Sequence, residues 1–79
     1  MERVRQMQRI KELRKEKSMN QIALGMELNF SQKIISEYEN GKVEPSITTL
    51  KKLASIFNTS VDYIIEYTDI KQPIDKIAQ

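Results

Sequence analysis

The chain contains no histidine and no cysteine, so the side chains available for chemistry are carboxylates, amines, guanidiniums, amides and hydroxyls. A histidine-based triad, a His/Cys zinc site and a disulfide framework are excluded by composition. With only Gly25 and Gly41 as glycines, there is no glycine-rich phosphate cradle either. The carboxylates stand singly among lysines on helical segments and read as solvated surface, with no convergent set of acid, base and oxyanion donors. The expectation is a protein that is not an enzyme and that uses no cofactor and no metal.

What remains is charge and hydrogen bonding. The net charge is +2, and from Met1 to Lys17 seven basic residues stand against three acidic ones, leaving the rest of the chain slightly acidic. This asymmetry suits a polyanionic partner, and it equally suits a solvated helix face laced with Lys–Glu neighbours. The more informative donors lie in the run Asn20-Gln-Ile-Ala-Leu-Gly-Met-Glu-Leu-Asn-Phe-Ser-Gln-Lys-Ile-Ile-Ser-Glu-Tyr-Glu-Asn-Gly-Lys42. Two helices joined by a tight turn cross closely, which calls for a small residue in the first helix and a turn residue tolerant of positive φ. Apolar residues must also face inward on both sides. Gly25 meets the first need and Asn29 the second, while Leu24, Leu28, Phe30, Ile35 and Tyr38 meet the third.

The surrounding elements follow from apolar spacing. Val4, Met7, Ile10 and Leu13 step by three, and Leu50, Leu53, Ala54 and Phe57 follow i, i+3, i+4, i+7. Ile22 to Leu28 carries Ile22, Leu24, Gly25 and Leu28; Ser31 to Glu39 carries Ile34, Ile35 and Tyr38; Val61 to Tyr67 carries Val61, Ile64 and Ile65. About five short helices result, joined by short connections. Asn20, Ser31, Ser46 and Ser60 stand where N-caps belong, Asp62 adds negative charge at the start of the last helix, and Asn40-Gly41 closes the fourth segment. Pro45 holds Glu44 extended before the next helix. From Thr68 the pattern breaks, and Ile74 and Ile77 are too few to predict another helix.

At 79 residues the chain makes one domain. A domain of this size buries only about 60% of the surface its unfolded chain exposes, so its stability rests on helix packing, helped by self-association. No apolar run approaches the roughly 20 residues that cross a bilayer, and Met1 to Gln8 is charged and lacks the apolar core of a signal peptide. A reducing cytoplasm and no membrane partner are expected.

The sequence resembles the Cro/C1-type helix-turn-helix (XRE-like) repressors. The residues that carry the likeness are Arg9-Ile-Lys-Glu-Leu-Arg14, Asn20-Gln21, Ile35-Ser-Glu-Tyr-Glu-Asn-Gly-Lys42, Glu44-Pro-Ser46 with Thr49-Leu-Lys-Lys-Leu-Ala54, and Ser60-Val-Asp-Tyr-Ile-Ile65. The resemblance spans Arg9 to Tyr67. It implies an all-α, five-helix lambda-repressor-like DNA-binding domain over residues 1–67, with a flexible or accessory C-terminal tail over 68–79.

The resemblance also implies roles. Side chains at the start of the third helix read base edges in this family, and the matching positions are Gln32, Lys33 and Glu37, with Ser36 beside them. Their chemistry fits: glutamine can engage adenine N6 and N7, lysine can donate to guanine O6 and N7, and glutamate can accept from cytosine N4. Glu37 near phosphates needs a donor and can instead repel wrong sequences. Ile34 stands where the family more often has a small polar residue, and either touches a thymine methyl or extends the core. Backbone clamping falls to Gln21 and Ser31 at helix N-termini and to Asn40 and Lys42 in the following loop, with Asn40 also able to cap its helix. Arg14 and Glu39 match positions that pair as a strut between the first and third helices.

One short helix reads one half-site, so the implied state is a homodimer on double-stranded DNA with a palindromic operator. Val61, Tyr63, Ile64, Tyr67 and Ile70 are the candidate dimer residues. The implied function is repression of a phage, plasmid or mobile-element operon, or of the gene's own promoter. Two other readings keep the fold: an antitoxin whose tail or exposed face grips a toxin (or an antirepressor protein), and a protein-interaction module that does not touch DNA.

Overall fold

The computed structural model describes residues 7–72, which form five α-helices and no strand: α1 Gln8–Glu16, α2 Gln21–Leu28, α3 Gln32–Glu39, α4 Ile47–Ile56 and α5 Val61–Ile64. The expected all-α, five-helix architecture is what these residues adopt. Val4, Ile74 and Ile77 lie outside the described residues.

Four helices start on their expected caps. The side-chain oxygens of Asn20, Ser31, Ser46 and Ser60 accept from the backbone N–H three residues on, at 2.7, 3.3, 3.1 and 3.0 Å. Each bond satisfies a donor that has no partner within its helix and contributes roughly 1 kcal/mol. α1 has Met7 at its N-cap, whose side chain makes no such bond.

The core is assembled from every helix. Ile10, Leu24, Ile35, Leu53 and Ile64 are the largest fully buried side chains, one from each of the five elements. The tightest approach is in the α2–turn–α3 unit. Asn29 adopts a left-handed conformation at φ 60°, ψ 39°, and the Phe30 N–H donates back to the Gly25 carbonyl at 2.8 Å. A Cβ on Gly25 would lie 2.5 Å from the Phe30 carbonyl oxygen, so only glycine lets the turn close over α2.

The structure corrects the apolar assignment in two places. Ile22 and Phe30 are exposed, not inward. Ile22 lies on the outer side of α2, and Phe30, just after the left-handed Asn29, meets the core residue Tyr38 edge-on at 6.2 Å between ring centroids. Ile34 is half-buried and packs against the core.

The last helix is shorter than its apolar spacing predicts. It stops at Ile64, and Glu66 turns left-handed at φ 65°. The helix is closed locally, with the Tyr67 N–H donating to the Asp62 carbonyl at 2.8 Å and the Glu66 N–H to the Tyr63 carbonyl at 3.1 Å, and the chain beyond it meets α1. Arg9 of α1 donates through Nη1 to the carbonyls of Tyr63 at 2.8 Å and Thr68 at 2.6 Å, and through Nη2 to Asp69 Oδ1 at 2.6 Å. Its guanidinium also lies 4.1 Å from the centroid of the Tyr63 ring. These bonds hold the segment after α5 against α1. Two further contacts extend the strap: Lys71 pairs with Glu16, and the Thr59 hydroxyl donates to the Lys71 carbonyl. Asp69 holds the Arg9 guanidinium above its ordinary pKa, and Glu16 does the same for the Lys71 ammonium.

Candidate nucleic-acid interface

α3 has two faces. Ile35 and Tyr38 point into the core, while Gln32 and Lys33 are exposed and Ser36 and Glu37 half-buried. Ser31, exposed, caps the helix, which leaves its first turn open to solvent. Past the last turn, Gly41 takes φ 75° and the Lys42 N–H donates to the Glu37 carbonyl at 2.9 Å. This turn brings the chain back beside α3. Gln32, Lys33, Ser36, Glu37, Asn40 and Lys42 consequently line a single surface depression of about 350 Å³. Asn40 leans on Ser36 through Nδ2 to Oγ at 3.3 Å, and Lys33 and Lys42 form no ion pair with any described residue.

A row of polar contacts runs from the core to the start of α3. Arg14 reaches Glu39 through Nε to Oε2 at 2.8 Å and Nη2 to Oε1 at 3.1 Å, with the two side chains 9% and 3% exposed. Arg14 Nη1 also donates to the Met19 carbonyl at 2.9 Å. Glu39 Oε1 accepts from Gln21 Nε2 at 3.1 Å, and Gln21 Oε1 accepts from Gln32 Nε2 at 3.2 Å. Among the described residues no buried side-chain nitrogen or oxygen is left without a partner.

The residues singled out from sequence therefore divide. Gln32, Lys33, Ser36, Glu37, Asn40 and Lys42 gather on one face, and Gln21 reaches them through Gln32. The dimer candidates differ in exposure. Ile64 is fully buried, because it is the α5 contribution to the core, and it is withdrawn as an interface residue. Val61 and Tyr63 are half-buried against that core, whereas Tyr67 and Ile70 are exposed. Sequence reasoning did not find the link from Gln21 to Glu39 or the Arg9 clamp. Among the described residues, no three His, Cys, Asp or Glu side chains could hold a metal ion, and no helix is long and apolar enough to cross a membrane.

A capped helix pair joined by a left-handed turn, with a polar outer face on its second helix, defines a helix-turn-helix protein, and five helices around one core fit a lambda-repressor-like fold. The comparisons with known proteins agree. The helix-turn-helix family model matches residues 10–64, from α1 through α5, and the chain belongs to this Cro/C1-type family. It is 31% identical over 70 residues to the SPbeta prophage-derived uncharacterized HTH-type transcriptional regulator YonR of Bacillus subtilis (strain 168), covering 89% of this chain and 65% of that protein. It is 35% identical over 66 residues to the Immunity repressor protein of Bacillus phage phi105, covering 82% of this chain and 46% of the repressor. The ImmF control region 10 kDa protein of the same phage is 34% identical over 62 residues, covering 78% and 68%. The matched segment thus spans about half to two-thirds of these relatives. No solved structure matches the chain.

Proposed function

We propose that the chain is a sequence-specific DNA-binding transcriptional regulator, a repressor that acts in the cytoplasm and binds a palindromic operator as a homodimer with α3 in the major groove. The observation that carries this reading is the outer face of α3, where amide, hydroxyl, carboxylate and two unpaired ammonium groups share one depression. An α-helix about 10–12 Å across matches a major groove about 12 Å wide. Gln32, Lys33, Ser36 and Glu37 are the base-reading set. Ser31, Asn40, Lys42 and the N-terminus of α2 at Gln21 take phosphates. Similarity to a phage immunity repressor and to a prophage-derived transcriptional regulator supports repression as the outcome.

Dimerisation is assigned to the exposed apolar side chains near the end of the described chain. Tyr67 is 82% exposed and Ile70 54%, and Tyr67 borders a groove of about 580 Å³ that includes Pro45, Ile47, Leu50 and Ile65. Selection of bound sequences from random duplexes at physiological salt tests the whole reading. The expected product is a palindrome whose half-sites lie about one helical turn apart, altered at one base pair per half-site by Gln32→Ala. Recovery of no preferred sequence would overturn it.

A further inference from the structure

We propose that Arg9 is a positioning residue for self-association, holding the strap of residues 66–72 as a preformed contact element that presents Tyr67 and Ile70 to a second copy of the chain. This rests on the dimer proposed above and adds what sets its strength. The strap is built the opposite way round from a segment that serves only its own fold. What holds it is polar: Arg9 donates to the Thr68 carbonyl and to Asp69 Oδ1 at 2.6 Å each, the Thr59 hydroxyl donates to the Lys71 carbonyl, and Lys71 pairs with Glu16. No side chain from Glu66 to Gln72 is buried. The apolar ones, Tyr67 and Ile70, are exposed, so in a single copy the hydrophobic effect gains nothing from this arrangement.

The surface beside Tyr67 shows what such side chains suit. Met7, Pro45, Ile47, Leu50 and Ile65 line the groove that Tyr67 borders, and Glu44 is the one charged residue in that lining. A phosphate backbone calls for cations and finds none there. Projecting ring and hollow belong to one patch, which is the condition for an isologous contact: under a twofold axis each copy's Tyr67 meets the groove of the other. A stable pair buries about 800 Å² on each partner, somewhat more than half of it apolar. Tyr67 alone offers on the order of 150 Å², and the exposed side chains of Val43, Ile47 and Ile70 carry the apolar share toward that requirement.

Arg9 enters through entropy. A strap loose in the free chain loses backbone freedom when two copies meet, and that cost opposes pairing. Arg9 reaches the carbonyls of Tyr63 and Thr68 through one nitrogen and Asp69 through another, and its guanidinium lies 4.1 Å from the centroid of the Tyr63 ring. The chain is thereby fixed on both sides of Tyr67. Ordering is complete on folding, and Tyr67 stands at the edge of the groove before a second copy arrives. Arg9 is no part of the groove lining and acts only through the strap.

The test measures self-association of the full chain by sedimentation equilibrium, and binding to two duplexes, one with the selected palindrome and one with a single half-site. Arg9→Met keeps an apolar stem and removes the guanidinium. The expected result is a dimer dissociation constant raised about tenfold or more, weaker binding to the palindrome and unchanged binding to the half-site. For a protein that pairs only on DNA, the ratio of the two affinities is the readout. Asp69→Asn with Lys71→Met loosens the strap at two exposed positions and weakens pairing in the same direction, so it decides the matter if Arg9→Met does not fold. Unchanged pairing in the deciding variant overturns the proposal, and leaves the dimer reading standing where Tyr67→Glu does dissociate the pair. A loss on the half-site as large as that on the palindrome overturns it too, because Arg9 would then only support the fold. An unaltered protein that stays monomeric and selects no palindrome sinks the dimer reading, and the proposal with it.

Discussion

Single residues set the tolerances of this domain. Gly25 faces the Phe30 carbonyl at a distance no Cβ can share, so Gly25→Ala forces the turn to shift. The expected loss is about 1–3 kcal/mol in urea unfolding. Arg14 and Glu39 are a buried pair, and removing one partner strands the other charge. Arg14→Met alone should cost about 3–5 kcal/mol, while Arg14→Met with Glu39→Leu should recover most of that loss, measured on the same unfolding scale. The Lys42 side chain has no ion-pair partner among the described residues, so its removal is expected to bear on binding more than on stability. Lys42→Ala should weaken all duplexes alike and lower the slope of log affinity against log salt by about 0.9, read by titration at several salt concentrations. The glycine and the left-handed asparagine were legible because their demands are local, and the polar outer positions of α3 through the family resemblance. The bond from Gln21 to Glu39 was not, since it joins side chains 18 positions apart and nothing in either neighbourhood announces it.

At the scale of elements, helix starts were more legible than helix ends. Asn20, Ser31, Ser46 and Ser60 act within one turn of their own position, so composition reveals them. The chain that follows α5 is held by Arg9, 54 residues before Tyr63, and no short window of sequence contains both. Apolar spacing alone prolonged α5 to Tyr67, because Tyr67 continues the pattern even though the backbone has already turned at Glu66. The strap that follows should depend on Arg9 more than on the core. Asp69→Asn is expected to speed amide exchange over residues 66–72 while changing global stability by no more than about 1 kcal/mol, as suits an exposed pair. Lys71 offers a check on pH. Glu16 raises its pKa, so its stabilising contribution is complete below about 10.4, the ordinary lysine value, and fades only as pH climbs through the folded value. Exchange over the strap, corrected for its intrinsic dependence on pH, should therefore show no release by this group between neutrality and pH 10.

For the whole molecule, the proposed pairing of two copies rests on what remains apolar and uncovered. Tyr67→Glu is expected to lower self-association in sedimentation without lowering the melting temperature of the monomer, since that side chain is 82% exposed. An unchanged sedimentation profile would remove Tyr67 from the interface. The sealed centre has another consequence. Each helix gives up one wholly enclosed side chain to the same point, so losing any one of the five opens the hydrophobic interior to water for the other four. A chain built this way has no lesser form to fall back on. A nick in the connection between α3 and α4 should end operator occupancy outright, and binding that declines gradually with digestion, out of step with loss of intact chain, would show that the helices do not stand or fall together.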